Sequence, residues 1–321
     1  YFDRQTVYAM VARQSGVSLV RIAGAEHILD GLRDCREGVA QGAVSVLPQL
    51  DEVGRQLVGP VAGLLRERTY LQSSGPLNGF PFNVLRLEGR YLAERYQVIN
   101  LMSLAGLKGR NRALSQDFGG RVFLAGNPQS AQQLFTYDVP ESAEISAVTD
   151  LFVGPGLHIV QGVALKKDEF RDERFFGAEL IHLAAPGTLD PAFPDRSRMK
   201  LSGDSPESDE GYLMPPDIRQ FDFDASLVFL SGTAVVGRNR TAFDSGMGFV
   251  SDFLDSGANY AIATIWPAGD SETTRFVADF YRNLDSSANV AEALSQTRLE
   301  RISRENSSNF RAWAGFQLYI R

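Results

Sequence analysis

Short apolar segments alternate with helical segments through the second half of the chain, and this alternation constrains the fold more than any other feature. Residues 178–184 and 226–230 are apolar runs, and each is followed by small residues. Such runs are typical of strands buried on both faces of a parallel sheet. Because helical patterns separate them, the sequence predicts an α/β fold, a mainly parallel sheet flanked by helices. In such sheets ligands bind at the carboxyl ends of the strands, so we expect the functional groups there.

The same reading assigns the other elements of this half. The predicted strands are 121–125, 158–161, 178–184, 226–230, 260–265 and 313–320, and the predicted helices are 141–152, 164–175, 245–254, 271–284 and 290–305. An acidic insertion rich in Ser, Pro and Gly, residues 202–211, is predicted to be a surface loop rather than a cation site. No glycine-rich phosphate cradle follows any of the strands, which gives nucleotide binding little support.

The first third of the chain has a different pattern. Residues 6–12 and 17–23 are β-rich runs around a short connection that ends in Gly16, so they predict a hairpin. Two helices follow within residues 25–66, interrupted near Pro48, and a turn-rich crossing covers residues 75–82.

A polar, glycine-containing run at residues 108–120 is the best candidate for a boundary between lobes. We therefore predict an N-terminal α+β lobe over residues 1–117 that opens in the hairpin, and an α/β core over residues 118–321. The chain starts at Tyr1 rather than Met, which suggests processing or a piece of a longer protein, with any targeting segment upstream. The sequence does not indicate the compartment of the protein, and the cytoplasm is the default expectation because no targeting segment is visible.

Composition excludes several classes of function. The net charge of −7 argues against a nucleic-acid or anionic-membrane surface, and no apolar run approaches membrane-spanning length. Cys35 is the only cysteine, and His27, His158 and His182 lack metal-ligand spacing. We therefore expect no intramolecular disulfide, no metal site and no cofactor.

Several short motifs together resemble the CHAT domain, a caspase-like and separase-like cysteine peptidase fold often attached to tetratricopeptide repeats. Each motif is weak alone, but their order and spacing match the family across nearly the whole chain. The motifs are Pro81-Phe82-Asn83-Val84-Leu85, Gly126-Asn127-Pro128, Ile181-His182-Leu183-Ala184, Leu230-Ser231-Gly232-Thr233, Phe253-Leu254-Asp255-Ser256-Gly257-Ala258, Ile265-Trp266-Pro267-Ala268-Gly269-Asp270, Phe280-Tyr281, Ala293-Leu294 and Trp313-Ala314-Gly315-Phe316.

The resemblance implies a catalytic dyad at two neighbouring strand ends, a His at one and a Cys at the next. Carried over by position, the His falls on Pro186 and the Cys on Thr233. Pro186 has no group that transfers a proton, and Thr233 is a poor nucleophile without an adjacent base. The resemblance therefore predicts a catalytically degenerate member that binds a protein or peptide, or an upstream repeat region of its own full-length chain. An allosteric or oligomerisation module is a further reading.

Two nearby residues could replace the dyad. His182 lies about 13 Å before Pro186 along an extended strand, so we expect it to be a hydrogen-bonded core residue instead. Ser231 lies two residues before Thr233 and has no evident base in the sequence. The alternative prediction is a peptide hydrolase of unconventional mechanism that uses Thr233 or Ser231.

The resemblance also indicates where a peptide would bind. In separase-like relatives an acidic residue after the Trp-Pro or Trp-Asp strand end helps receive a basic side chain, and Asp270 has the corresponding position. Asp270 also precedes a predicted helix, where an Asp is a favourable N-cap, and we favour that role. Ser231 and Trp266 complete the peptide-binding candidates, although Trp266 is more simply a core or rim aromatic.

Overall fold

The computed structural model describes residues 6–104, 120–128, 140–190, 192–203, 209–234, 248–266, 271–287, 289–304, 309–310 and 313–321, with the backbone alone at 23, 25, 140–142, 233 and 234. The strands are β1 Thr6–Arg13, β2 Gly16–Ala23, β3 Arg68–Leu71, β4 Arg86–Leu87, β5 Arg90–Tyr91, β6 Gln97–Leu101, β7 Val122–Pro128, β8 Leu157–Gly162, β9 Leu180–Ala184, β10 Gly187–Thr188, β11 Arg198–Lys200, β12 Tyr212–Leu213, β13 Leu227–Ala234, β14 Tyr260–Thr264 and β15 Phe316–Ile320. The α-helices are α1 Ala25–Gln41, α2 Leu47–Leu57, α3 Pro140–Thr149, α4 Glu173–Phe176, α5 Pro215–Ile218, α6 Gly248–Asp255, α7 Ser271–Ser287 and α8 Val290–Arg304.

An eight-stranded sheet in the order β3-β6-β15-β14-β13-β9-β7-β8 forms the centre of the molecule. Every neighbouring pair in it is parallel except β14 and β15, which run antiparallel. The sheet therefore consists of two parallel blocks of opposite direction that meet at β15. This confirms the predicted α/β fold with a mainly parallel, helix-flanked sheet.

Two apolar layers cover the faces of the sheet, and alternate residues of each strand enter opposite layers, as the period of two requires. Leu180, Phe229 and Ile262 face the layer that contains α3, α7 and α8. Ile181 and Val228 face the other layer, with α6 and a cluster of phenylalanines from residues 170–223. Because both faces are covered, these strands are continuous apolar runs in the sequence.

The predicted opening hairpin and the helices after it are confirmed. β1 and β2 pair antiparallel from Thr6 opposite Ala23 to Arg13 opposite Gly16. Pro48 lies in the first turn of α2, where its missing N–H has no intrahelical partner to lose. Cys35 is buried in α1, and burial raises the pKa of its thiol to about 12, which keeps it protonated and unreactive.

Two predictions of secondary structure need correction. The predicted helix 164–175 is wrong: a 3₁₀ segment, Lys167–Arg171, is separated from α4 by Asp172 in extended conformation. Asp172 accepts hydrogen bonds from the backbone and guanidinium of Arg174, so it caps α4 and ends any continuous helix. The small antiparallel sheet β10-β11-β12, beside the acidic insertion, is absent from the prediction.

The first third of the chain contributes directly to the central sheet. β3 and β6 fall within the predicted N-terminal lobe, yet both belong to the eight-stranded sheet, where β6 pairs with β15. The predicted boundary between residues 117 and 118 lies outside the described residues. Among the helices that are described, none has both the length and the apolar character needed to cross a membrane.

Candidate functional site

The carboxyl ends of β9 and β13 lie side by side near the middle of the sheet. The two strands pair in parallel from Leu180 opposite Leu227 to Ala184 opposite Ser231, and the N–H of Ala185 donates to the carbonyl of Ser231 at 3.1 Å. Pro186 follows Ala184 by two residues, and Thr233 follows Ser231 by two. The two positions that the resemblance assigns to a catalytic dyad therefore each lie two residues beyond this last strand pair, on neighbouring chain segments.

Gly232 is the point at which the end of β13 changes course. Its φ of 82° lies in the left-handed region, and a Cβ there would stand 3.0 Å from the carbonyl oxygen of Ala185. The pairing of β13 with β14 also shifts register between Leu230 and Ala234. Glycine is thus required for the chain to leave the regular strand just before Thr233, while Pro186 on the neighbouring segment is exposed.

A cluster of four polar side chains lies buried beneath these strand ends. The Oγ of Ser231 donates a hydrogen bond to Oε2 of Glu144 at 2.9 Å, and Oε1 of the same carboxylate lies 3.0 Å from Nε2 of His182. The hydroxyl of Tyr281 lies 2.9 Å from Nδ1 of His182. None of the four residues is more than 2 % exposed.

The electrostatics of this cluster follow from its burial. Burial, and next the charge of Glu144, raises the pKa of Tyr281 well above its ordinary value, so the phenol stays protonated. A phenol that donates to Nδ1 places the imidazole proton on Nε2, which faces Glu144. Nε2 and Oε1 are therefore in close polar contact, but their geometry is not that of a well-formed hydrogen bond. The imidazole also stacks on Phe229, with the ring centres 5.1 Å apart.

The cluster connects four elements of the fold. Glu144 comes from α3, His182 from β9, Ser231 from β13 and Tyr281 from α7. The expectation that His182 is a hydrogen-bonded core residue is confirmed. Ser231, for which the sequence indicates no evident base, donates its hydroxyl hydrogen bond to the buried carboxylate of Glu144. However, a serine with no exposed surface cannot meet a peptide carbonyl in this conformation, so what the arrangement does here is hold strands and helices together.

Of the remaining peptide-binding candidates, the structure describes only Trp266. Trp266 follows the carboxyl end of β14 and is 9 % exposed. Its indole packs so closely on Gly315 that a Cβ there would stand 2.7 Å from Nε1. Asp270 lies outside the described residues, directly before the first residue of α7.

A surface cleft of about 370 Å³ lies at the opposite, amino ends of β7 and β8. Tyr281 lines it, so the ring that supports His182 also forms part of this cleft. The other lining residues are Gly120, Val122, Leu151, Phe152, Val153, Gly154, Leu157, Arg282, Asp285 and Ser286. Within the described parts of the chain, no group of three or more His, Cys, Asp or Glu side chains is arranged to hold a metal ion.

Sequence reasoning missed Glu144, and it quoted Tyr281 only within the Phe280-Tyr281 motif, without its contact to His182. A glutamate in the middle of a helix is ordinarily solvated, and α3 has no marked polar face that would have singled Glu144 out. The usable signal was His182, since a histidine inside an apolar strand requires buried polar partners. It indicates that partners exist, but not where they are in the sequence.

Comparison with known proteins agrees with this architecture. The family model described as the CHAT domain matches residues 48–321. A search of curated proteins gives no match.

Among solved structures, the Saccharomyces cerevisiae separase of a separase–securin complex has a TM-score of 0.53 and 14% sequence identity over 78% of this chain. The match covers 15% of the separase chain, so this chain spans a small part of that protein. The Arg-specific cysteine proteinase gingipain R of Porphyromonas gingivalis has a TM-score of 0.51 and 9% identity, over 91% of this chain and 73% of its own. At these identities the likeness shows a shared caspase-like fold.

Proposed function

The chain belongs to the CHAT domain family, and from that premise we propose that it is a catalytically inactive member that acts by binding a protein or peptide. One observation carries the proposal. By position in the family pattern, Pro186 and Thr233 stand where the family mechanism needs an imidazole and a thiolate, and each follows the last paired residues of β9 and β13 by two positions. Peptide cleavage requires a nucleophile and a group that protonates the leaving amine, and Pro186 can provide neither.

The nearby histidine does not restore the missing chemistry. His182 is fully buried, stacked on Phe229 and engaged with Tyr281 and Glu144. Bringing its ring to the strand end would empty a core position and leave the Glu144 carboxylate buried without its partner, which costs several kcal/mol. The cluster therefore supports a role for His182 in stability rather than in proton transfer.

A protein or peptide is the ligand class that this edge fits best. The edge lies where ligands meet parallel sheets, and Trp266 and Asp270 follow the next strand, β14. We infer that Asp270 can receive a basic side chain of a bound peptide while it also caps α7. The solved separase neighbour is itself a complex with securin, which supports a protein partner for this fold.

A peptide hydrolase that uses Ser231 is the second candidate, favoured by the hydrogen bond of its hydroxyl to Glu144. This mechanism would require β13 to move away from α3 and expose Ser231, which is fully buried in this structure. Thr233 remains the other possible nucleophile of that mechanism.

Covalent labelling separates the two proposals. An Arg-terminated peptide phosphonate, which reacts with activated hydroxyls, is incubated with the parent protein. The matching peptide chloromethyl ketone, which alkylates thiols, is incubated with the Thr233→Cys variant, and modified residues are located by mass spectrometry. We expect rapid labelling of the new cysteine, slow labelling of buried Cys35 and none of the parent hydroxyls. We also expect no turnover of fluorogenic arginyl peptides.

Two results would refute the proposal. Turnover by the parent protein that disappears in Thr233→Ala or Ser231→Ala would establish the hydrolase. A cysteine at position 233 that reacts no faster with the peptide probe than with iodoacetamide would show that this edge does not hold peptide.

A further inference from the structure

The β1–β2 hairpin is apolar on both faces, which is unusual for a two-stranded sheet. Its inner face contains the buried cross-strand pair Val7 and Ile22 and packs on α2 and on the 3₁₀ segment Gly59–Leu64. The sheet has no third strand among the described residues. An isolated two-stranded hairpin is only marginally stable, so the contacts of the inner face with α2 and the 3₁₀ segment stabilise this one.

The outer face is apolar as well, and nothing in the described structure covers its centre. Met10 and Leu19 stand opposite each other and are 61% and 70% exposed, and Val17, opposite Ala12, is 67% exposed. These side chains share one face because residues directly opposite in an antiparallel pair project to the same side. A contiguous apolar patch of this kind marks an interaction surface.

The dimensions of the outer face match those of a single α-helix. Two strands about 4.8 Å apart carry a face roughly 10 Å wide, and eight residues extend about 26 Å. An α-helix has a diameter of about 10–12 Å, and about 17 residues span that length. The outer face therefore fits one helix lying along the hairpin.

The charge of the hairpin indicates which charged residues the partner helix should carry. Between Thr6 and Ala23 the only charged residues are Arg13 and Arg21, on a chain whose net charge is −7. Arg21 lies opposite Tyr8, at one end of the outer face, and is exposed. Carboxylates on the partner would complement Arg21, whereas a second copy joined face to face would offer no carboxylate, because residues 6–23 contain no Asp or Glu.

We propose that the outer face of the β1–β2 hairpin is a docking surface for an amphipathic helix with acidic flanks, supplied by a partner protein. The apolar stripe of the helix covers Met10, Val17 and Leu19, and its acidic flank lies near Arg21. The surface is separate from the strand-end edge, so the inference stands whether or not that edge binds peptide.

Two designed probes test the proposal. One is a labelled 18-residue helical peptide with a leucine stripe flanked by Glu, and the other has the same stripe flanked by Lys. Fluorescence anisotropy with the full chain should show 1:1 binding of the Glu-flanked peptide. The double variant Met10→Ser, Leu19→Ser should weaken that binding at least tenfold, and Arg21→Gln should weaken it severalfold.

Val153→Ser is the matched control, since Val153 is a nearly fully exposed apolar residue on another surface. It should leave binding unchanged, and circular dichroism should show that all variants remain folded. Equal affinity for the Lys-flanked peptide, or no loss in the double variant, would overturn the proposal. Dimers in sedimentation velocity that dissociate in the double variant would instead assign the face to a second copy.

Discussion

Beneath the ends of β9 and β13 the protein buries a carboxylate, an imidazole and two hydroxyls, whereas the outer face of the β1–β2 hairpin leaves Met10, Val17 and Leu19 exposed. Solvation alone favours the opposite distribution, because buried polar groups and exposed apolar groups both cost free energy. The interior groups compensate one another within one cluster. The exposed side chains have no such compensation in the described structure. We infer from this contrast that the buried polar side chains, which resemble catalytic groups, maintain the fold. The exposed apolar side chains, which resemble core residues, form the proposed docking surface.

The largest expected effect tests the interior half of this contrast. Glu144→Ala removes the acceptor of the Ser231 hydroxyl and the carboxylate oxygen that lies 3.0 Å from Nε2 of His182. Because it leaves a buried polar network half satisfied, we expect a loss of about 3–5 kcal/mol in the free energy of unfolding. Glu144→Gln keeps an oxygen that accepts from Ser231 and should cost less, about 1–2 kcal/mol.

Urea denaturation followed by circular dichroism measures both changes. Glu37→Ala, an exposed glutamate of α1, is the control and should stay within about 0.5 kcal/mol of the parent. Should Glu144→Ala prove as stable as that control, the cluster would not hold the fold, and a functional reason for burying it would have to be sought.

Asp252 is a second buried carboxylate, and its contact with Arg219 does not fully offset the cost of burying its charge. Burial raises the pKa of Asp252 from 3.8 to about 6, against the opposing effect of Arg219, whose guanidinium lies 3.2 Å away. The folded pKa is above the unfolded one, so the stabilising contribution of protonated Asp252 is complete below pH 3.8 and is lost as the pH rises through about 6. Asp252→Asn should therefore raise stability near pH 7.5 by on the order of 1–2 kcal/mol and flatten the pH dependence between about 4 and 6.

Denaturation at a series of pH values measures this effect, with Asp150→Asn, an exposed aspartate directly after α3, as the control. A variant that is less stable at pH 7.5 and keeps the parent's slope would show that the Arg219 contact outweighs the burial of Asp252.

The smallest expected effect tests the exterior half. Met10→Ser with Leu19→Ser should change the free energy of unfolding by no more than about 0.5 kcal/mol for each residue, since neither side chain is buried. Ile22→Ala on the inner face should cost about 2–4 kcal/mol. Thermal or urea unfolding of both variants would separate the two faces, and a large loss from the outer pair would mean that another part of the chain covers it.

The sequence predicted those parts of the fold that local patterns determine. Strands β9 and β13 were identifiable because strands buried on both faces are continuous apolar runs, and the hairpin because it has alternation around Gly16. The break at Asp172 was missed because one side chain that hydrogen-bonds to Arg174 outweighs the apolar spacing around it.

The candidate site was predictable only in position. The family resemblance implied that the two strand ends are neighbours, and the parallel pairing of β9 with β13, up to Ala184 opposite Ser231, agrees with it. The burial of Glu144 could not be predicted, because its partners His182 and Ser231 lie far along the chain and a lone glutamate in a helix gives no signal of them.

The position of β15 determines when the eight-stranded sheet can be completed during synthesis of the chain. β15 is the last strand along the chain, yet it lies inside the sheet, with β6 on one side and β14 on the other. Ribosomes add about 5–20 residues per second, so β3 and β6 wait on the order of ten seconds or more for the strand that joins them to the rest. Until β15 is synthesised the sheet cannot be continuous, because no other strand pairs the β3-β6 block with the β14-to-β8 block among the described residues. The final residues of β15 then join the two blocks.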